Sequence, residues 1–366
     1  MTARERAEKL IKKQPVPTMG YSDKIWPEVQ QRWIQEGNLK KTGADQQEFS
    51  VTFDEYFQND FREIWNINTI PFMGQEEILE QTEEWKIVKN GAGAVFKYWK
   101  YKSGTPEHID FSMNSFDTWK KIYKPQLEGF QAKRCDFEGS CKLLENCSKE
   151  GLFSVYGNLG IWELLRSSLG DVCMFESLLD DPEWIEDFNQ TYINFFIRHL
   201  THIFDTSGVP DAFYLYDDLA YNKGLFCSPE LLRELFLPYY QKLTDFLHSY
   251  NVSVIFHCCG NAEAALPLIV ESGFDALNPM EVKAGCDVVR FAEKYGESLA
   301  FIGGFDVRIL ENGDRSEIKK EVLRITNAMR HLKASYFFGT DHSVSPNVRF
   351  DDYEYAVKCF KEYSYY

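Results

Sequence analysis

The feature that most constrains this chain is a unit repeated through its second half. A short, nearly all-apolar run ends in polar residues, and a helix-like segment follows. Ala212–Tyr216 runs into Asp217–Asp218, Val252–Phe256 into His257–Cys258–Cys259–Gly260, and Phe274–Leu277 into Asn278–Pro279–Met280–Glu281. Leu299–Ile302 runs into Gly303–Gly304–Phe305–Asp306, and Ser335–Phe338 into Gly339–Thr340–Asp341–His342. Apolar runs of this length, without alternation, fit parallel strands buried on both faces. Five such units, after one more around Leu152–Gly157, predict an α/β protein with a closed (β/α)8 TIM barrel; a doubly wound sheet is the runner-up. Between the strands, Ser228–Pro229 reads as the cap and first turn of a helix to about Tyr250, and Asp181–Pro182 opens a helix through His202.

The first part of the chain is less regular. Trp85–Val88 and Ala94–Trp99 flank Asn90–Gly91, a pair suited to a tight primed turn. They predict an N-terminal extension with a hairpin over the barrel mouth. No Pro/Gly/Ser-rich linker divides the 366 residues, so 1–366 reads as a single domain, with an irregular portion over 1–110 and the barrel over 111–366. A net charge of −16 without any Lys/Arg run argues against nucleic-acid binding and against a highly anionic substrate. Residues 1–13 lack the apolar stretch of a signal peptide, and no segment approaches the ~18 apolar residues of a membrane span. Nine cysteines in no regular framework read as reduced thiols, which places the expected protein in the cytoplasm.

In a TIM barrel the reacting groups stand at the C-terminal strand ends. Here those ends carry Asp217, Asp218, His257, Cys258, Cys259, Glu281, Asp306, Asp341 and His342. His257 and Cys259 are two apart on an extended segment, so both point one way and Cys258 points the other. Together His257, Cys259, Glu281 and His342 make a four-coordinate zinc set, with the carboxylate exchangeable for substrate or water. The competing reading makes the histidines hydrogen-bonded core residues and the cysteines small hydrophobes. Asp217, Asp306 and His342 are the candidate catalytic residues, for positioning substrate or moving a proton. Capping of the next helix is the competing role for one of Asp217 and Asp218.

The stretch from Tyr214 to Pro346 carries the motifs Tyr216–Asp217–Asp218, Ser228–Pro229–Glu230, Pro238–Tyr239–Tyr240, His257–Cys258–Cys259–Gly260–Asn261, Asn278–Pro279, Tyr295–Gly296, Gly303–Gly304–Phe305–Asp306 and Asp341–His342. This stretch resembles the uroporphyrinogen decarboxylase superfamily, and the resemblance implies a TIM barrel with one of two chemistries. True decarboxylases carry an N-terminal Arg-Gln-Ala-Gly-Arg-Tyr motif that grips porphyrinogen carboxylates. Here Ile25–Trp26–Pro27–Glu28 stands there instead, followed by Arg32–Trp33. The other branch holds zinc methyltransferases that exchange methyl groups with a corrinoid. Its coenzyme M members imply zinc on His-x-Cys, a later Glu and a last-strand Cys, matched by His257, Cys259 and Glu281, with His342 in the last position. A related O-demethylase pattern matches Asp306, Glu321 and His342, so Glu321 is the alternative to Glu281. A zinc set with one thiolate suits an ether oxygen better than thiol activation. The resemblance thus implies transfer of a methyl group from a small methoxylated aromatic donor to a corrinoid carried by a partner protein, with a homodimer left open. A decarboxylase, a methylcobalamin:coenzyme M-type methyltransferase and a non-catalytic binding scaffold are the alternatives.

Overall fold

The apolar runs pair side by side as one parallel sheet. A computed structural model describes residues 1–40, 53–101, 104 and 106–366. Its main sheet has eight strands: β1 (Gly20–Tyr21), β2 (Phe61–Ile64), β3 (Phe153–Leu159), β4 (Ala212–Tyr216), β5 (Ser253–Cys258), β6 (Ala276–Pro279), β7 (Ala300–Ile302) and β8 (Tyr336–Phe338). They are ordered β1-β8-β7-β6-β5-β4-β3-β2, and every ladder is parallel. The sheet curls, so one face turns inward. Phe61, Phe153, Val155, Ala212, Tyr214, Ile255, Ala276, Ala300, Ile302 and Phe337 form a single buried cluster drawn from seven of the strands. Ala7, Leu10 and Ile11, from the helix Ala3–Ile11, join this cluster and plug its lower end. Small Ala and large Phe side chains pack together in this interior.

The edge strands β1 and β2 meet through Asp60. Its N–H donates to Tyr21 O at 3.0 Å. Its carboxylate, fully buried, accepts from the Tyr21 N–H at 3.0 Å and from Arg6, whose Nε lies at 3.2 Å. One acidic side chain therefore joins the sheet's two edges to the plugging helix.

Three sequence expectations change here. The boundary at residue 110 fails, because β1 and β2 lie before it and belong to the main sheet. The segment expected to run as one helix to Tyr250 is two, Pro229–Leu235 and Leu237–Ser249. Pro238 has no N–H to give and disfavours helical backbone at the preceding residue, so the break falls just before it. The hairpin strands Trp85–Lys89 and Ala94–Trp99 do pair antiparallel, but not through a two-residue turn. Asn90 N–H donates to Ala94 O, and Gly93 closes a three-residue loop at φ +80°. The pair extends into a four-stranded antiparallel sheet with Glu77–Gln81 and Glu107–Phe111. This sheet packs near the helix Ile161–Leu169, where the Phe111 ring lies against Gly170. Among the described residues no helix is long and apolar enough to cross a membrane.

Asp60→Ala leaves the Tyr21 N–H and the Arg6 guanidinium without their carboxylate. We expect a loss of about 3 kcal/mol in unfolding free energy, read from the urea midpoint. A loss under about 1 kcal/mol would show that the sheet's edges do not depend on this residue.

Candidate active site

The register of β4 on β5 builds the site. Tyr216 pairs with His257, and just beyond the ladder Asp217 N–H donates to His257 O at 2.9 Å. The segments leaving both strands therefore emerge side by side. Asp218, from one, meets His257 and Cys259, from the other, with donor atoms all within 4.8 Å of one another. Cys259 Sγ lies 3.3 Å from His257 Nε2, and that nitrogen lies 3.9 Å from Asp218 Oδ1. Asp218 also accepts the Cys259 N–H at 2.7 Å, which fixes the carboxylate beside the thiol. Gly260, at φ +77°, follows where the Ala220 carbonyl would lie 2.7 Å from any Cβ. Only glycine lets the chain turn away that close to its neighbour.

Asn278, on β6, decides what His257 offers. Its amide nitrogen donates to Ile302 O at 2.9 Å, so its oxygen faces His257 Nδ1 at 2.7 Å. Nδ1 must then carry the hydrogen, and Nε2 presents a lone pair to Cys259 and Asp218. Burial lowers the His257 pKa, which keeps the imidazole neutral. Burial, and then Asp218, push the Cys259 thiol well above its usual range. A bare imidazole nitrogen, a thiol and a carboxylate at these separations fit a tetrahedral zinc, whose ligands stand about 3.3–3.8 Å apart given bonds of about 2.0–2.3 Å.

The other expected residues take different positions. Glu281 is buried near Cys259, but its oxygens meet Gly260 N–H at 2.7 Å and Lys283 Nζ at 2.9 Å. The His342 ring packs on Trp26, with centroids 5.9 Å apart. Asp217 is fully buried. Its carboxylate accepts from the first-turn N–H groups of Trp162 and Glu163 and from the Tyr240 hydroxyl, while burial pushes its pKa up to about 8. It caps the helix after β3. Asp306 caps the helix after β7 and binds the Arg308 guanidinium at 2.7 Å. Asp341 bridges the N–H groups of Val282 and Val307. Glu321 sits on the helix Arg315–Leu332, paired with Arg324 at 2.8 Å. Cys258 joins the core on the sheet's outer face.

Residues not expected from the sequence line the mouth above β1 and β2. A cavity of about 350 Å3 is bounded by Asp23, Lys24, Asp54, Glu63, Trp65 and Tyr214, among others. Lys24 Nζ lies 2.6 Å from Glu63 and sits over the rings of Tyr214 and Tyr216. Trp65 packs on Tyr216 at 5.2 Å, and Tyr216 lies 4.8 Å from the His257 ring. Burial pushes Asp23 and Asp54 each up to about 6. Paired charged and Trp residues, Lys24 with Trp26 and Glu63 with Trp65, were the available signal, but the strands before them are too short to show as apolar runs.

A family model described as Uroporphyrinogen decarboxylase (URO-D) matches residues 167–363, more than half of the chain. The chain belongs to the uroporphyrinogen decarboxylase (URO-D) family. The matched segment carries Asp218, His257 and Cys259; the cavity residues Lys24, Glu63 and Trp65 precede it. This URO-D chain is similar in structure to a methyltransferase from Methanosarcina mazei, with a TM-score of 0.66 and 15% identity over 99% of both chains. At that identity the likeness is one of fold. Similarity to an L-ribulose 3-epimerase is slighter, with a TM-score of 0.36 and 12% identity over 63% of this chain and 74% of the other. A D-psicose 3-epimerase from Clostridium cellulolyticum H10 gives 0.36 and 11% over 67% and 92%. Neither bears on the site. No curated protein matches this chain in sequence.

The Asn278 contact is open to test by 15N NMR of the His257 ring. The wild type should show the Nδ1–H form, and Asn278→Ala should give a mixture of both tautomers. An Nε2–H ring in the wild type would contradict this orientation of the Asn278 amide.

Proposed function

We propose that this URO-D family protein is a zinc-dependent methyltransferase, moving a methyl group from a small methoxylated aromatic donor to a corrinoid held by a partner protein. The observation that carries the reading is the convergence of Asp218, His257 and Cys259 beside a cavity walled by aromatic rings. The methyltransferase fold neighbour supports the same branch of the family.

In this reading His257, Cys259 and Asp218 hold the metal, with Glu281 and His342 as neighbours that complete or adjust the set. The chemistry zinc supplies when bound is Lewis acidity toward an ether oxygen. The chain's own part is to prepare the ligands. Asn278 holds His257 in the tautomer with a free Nε2. The raised Cys259 thiol gives up its proton near neutral pH only to a strong neighbouring cation. Trp65, half-exposed on the cavity wall, offers a face against which a donor ring stacks. Asp217 and Asp306, proposed from sequence to position substrate, would act through the loops they cap.

The cavity also argues against a decarboxylase of poly-acids. Lys24 lines it together with Asp23, Asp54 and Glu63, and pairs with Glu63. A poly-acid would leave most of its carboxylates there without a cation to pair with. A neutral methoxylated ring needs none.

Metal content separates these readings. Cys259→Ala and His257→Ala should each reduce bound zinc to near zero, and Asp218→Ala should weaken it by about 10-fold to 100-fold, read by competition with a chromophoric chelator. Cys258→Ala should keep one equivalent, since its sulfur faces the helices. Full zinc in the Cys259 and His257 variants, or none in the wild type, would remove the basis for the reading.

A further inference from the structure

We propose that Lys24 is the residue that receives the donor's oxygen as the methyl group departs. The inference rests on the methyltransferase reading and adds to it the polar group that faces the leaving atom. An ammonium has three N–H donors and no acceptor. Two are directed within the chain, one to Glu63 Oε2 at 2.6 Å and one to the Tyr216 hydroxyl oxygen. The Tyr216 hydroxyl in turn donates to Glu63 at 2.8 Å, which leaves its oxygen as the acceptor toward Lys24. The third Lys24 donor has no acceptor of its own among these partners. The side chain is 50% exposed and borders the cavity, so that donor is open to a ligand.

Position supports the same role. Lys24 Nζ lies 4.6 Å from the centre of the Tyr216 ring, and the His257 ring lies 4.8 Å from the same ring. The ammonium and the candidate metal ligands therefore border one aromatic side chain. A single ring stacked on the exposed Trp65, which packs on Tyr216, would carry its substituents between them. The acids first expected to serve the leaving oxygen are committed elsewhere, Asp217 to the Trp162 and Glu163 N–H groups and Asp306 to Arg308. Among the described residues that line the cavity, Lys24 is the one cation.

In this step the methyl carbon–oxygen bond breaks, and the methyl group bonds to the partner's cobalt(I), which supplies both electrons. The electron pair of the broken bond stays on oxygen. That oxygen leaves as a phenolate, hydrogen-bonded to Lys24, and takes its proton from water. No other oxidant or reductant is needed.

A coloured phenol reads this contact without any methyl transfer. With 4-nitrophenol as probe and the full-length protein, the wild type should favour the yellow anion over the neutral phenol by at least about tenfold, seen as a lowered apparent pKa in absorbance titrations. Lys24→Met should abolish that preference while keeping its zinc content and near-ultraviolet circular dichroism. Lys24→Arg should retain it. Glu63→Gln should increase it, because a competing carboxylate is removed. If Lys24→Met still binds the anion preferentially, or Glu63→Gln weakens it, the proposal is overturned while the methyltransferase reading stands. If the wild type binds the probe in neither form at millimolar concentration, the proposal and the aromatic-donor reading fall together.

Discussion

The pairing of Tyr216 with His257 is the constraint on which the site depends. Side chains alternate along a strand, so a shift of one residue between β4 and β5 would turn His257 and Cys259 toward the helices and bring Cys258 to the mouth. The Asp217 N–H bond to the His257 carbonyl extends the ladder one step past the strand end, where irregular backbone would otherwise begin. From that fixed point Asp218 falls beside Cys259, and Asn278, opposite His257 on β6, meets its ring. Three adjacent strands thus bring His257, Cys259 and Asp218 together by their register, and the Asn278 side chain sets the tautomer.

The carboxylates around the mouth divide by what they satisfy. Asp217, Asp341 and Asp60 are buried and accept main-chain N–H groups from other segments. Each holds two elements together, and an unpaired buried N–H would cost about 1–3 kcal/mol. Asp218 and Glu63 keep partial exposure and face the side chains of His257 and Lys24. Acidic residues are thus frequent at these strand ends for two separate reasons, and only some are free to act on a ligand.

This division explains what was legible in the sequence. β4 to β8 announce themselves as apolar runs, because both faces of a parallel strand are buried. β1 and β2 do not, since Gly20–Tyr21 and Phe61–Ile64 are too short and too mixed to stand out, and with them went Lys24, Glu63 and Trp65. His257 and Cys259 were readable from their spacing of two. Which member of Asp217–Asp218 caps a helix was not, because the helix it caps follows β3, distant in sequence. The positions of Glu281 and His342 just outside the converging trio likewise depend on loop paths that local composition does not encode.

The most direct test of a zinc centre at the β4 and β5 strand ends is X-ray absorption at the zinc edge of the purified protein. The expected result is a mixed shell with one sulfur at about 2.3 Å and the remaining nitrogen and oxygen donors at about 2.0–2.2 Å. A shell without sulfur, or one with two or more, would contradict a centre built on Asp218, His257 and Cys259.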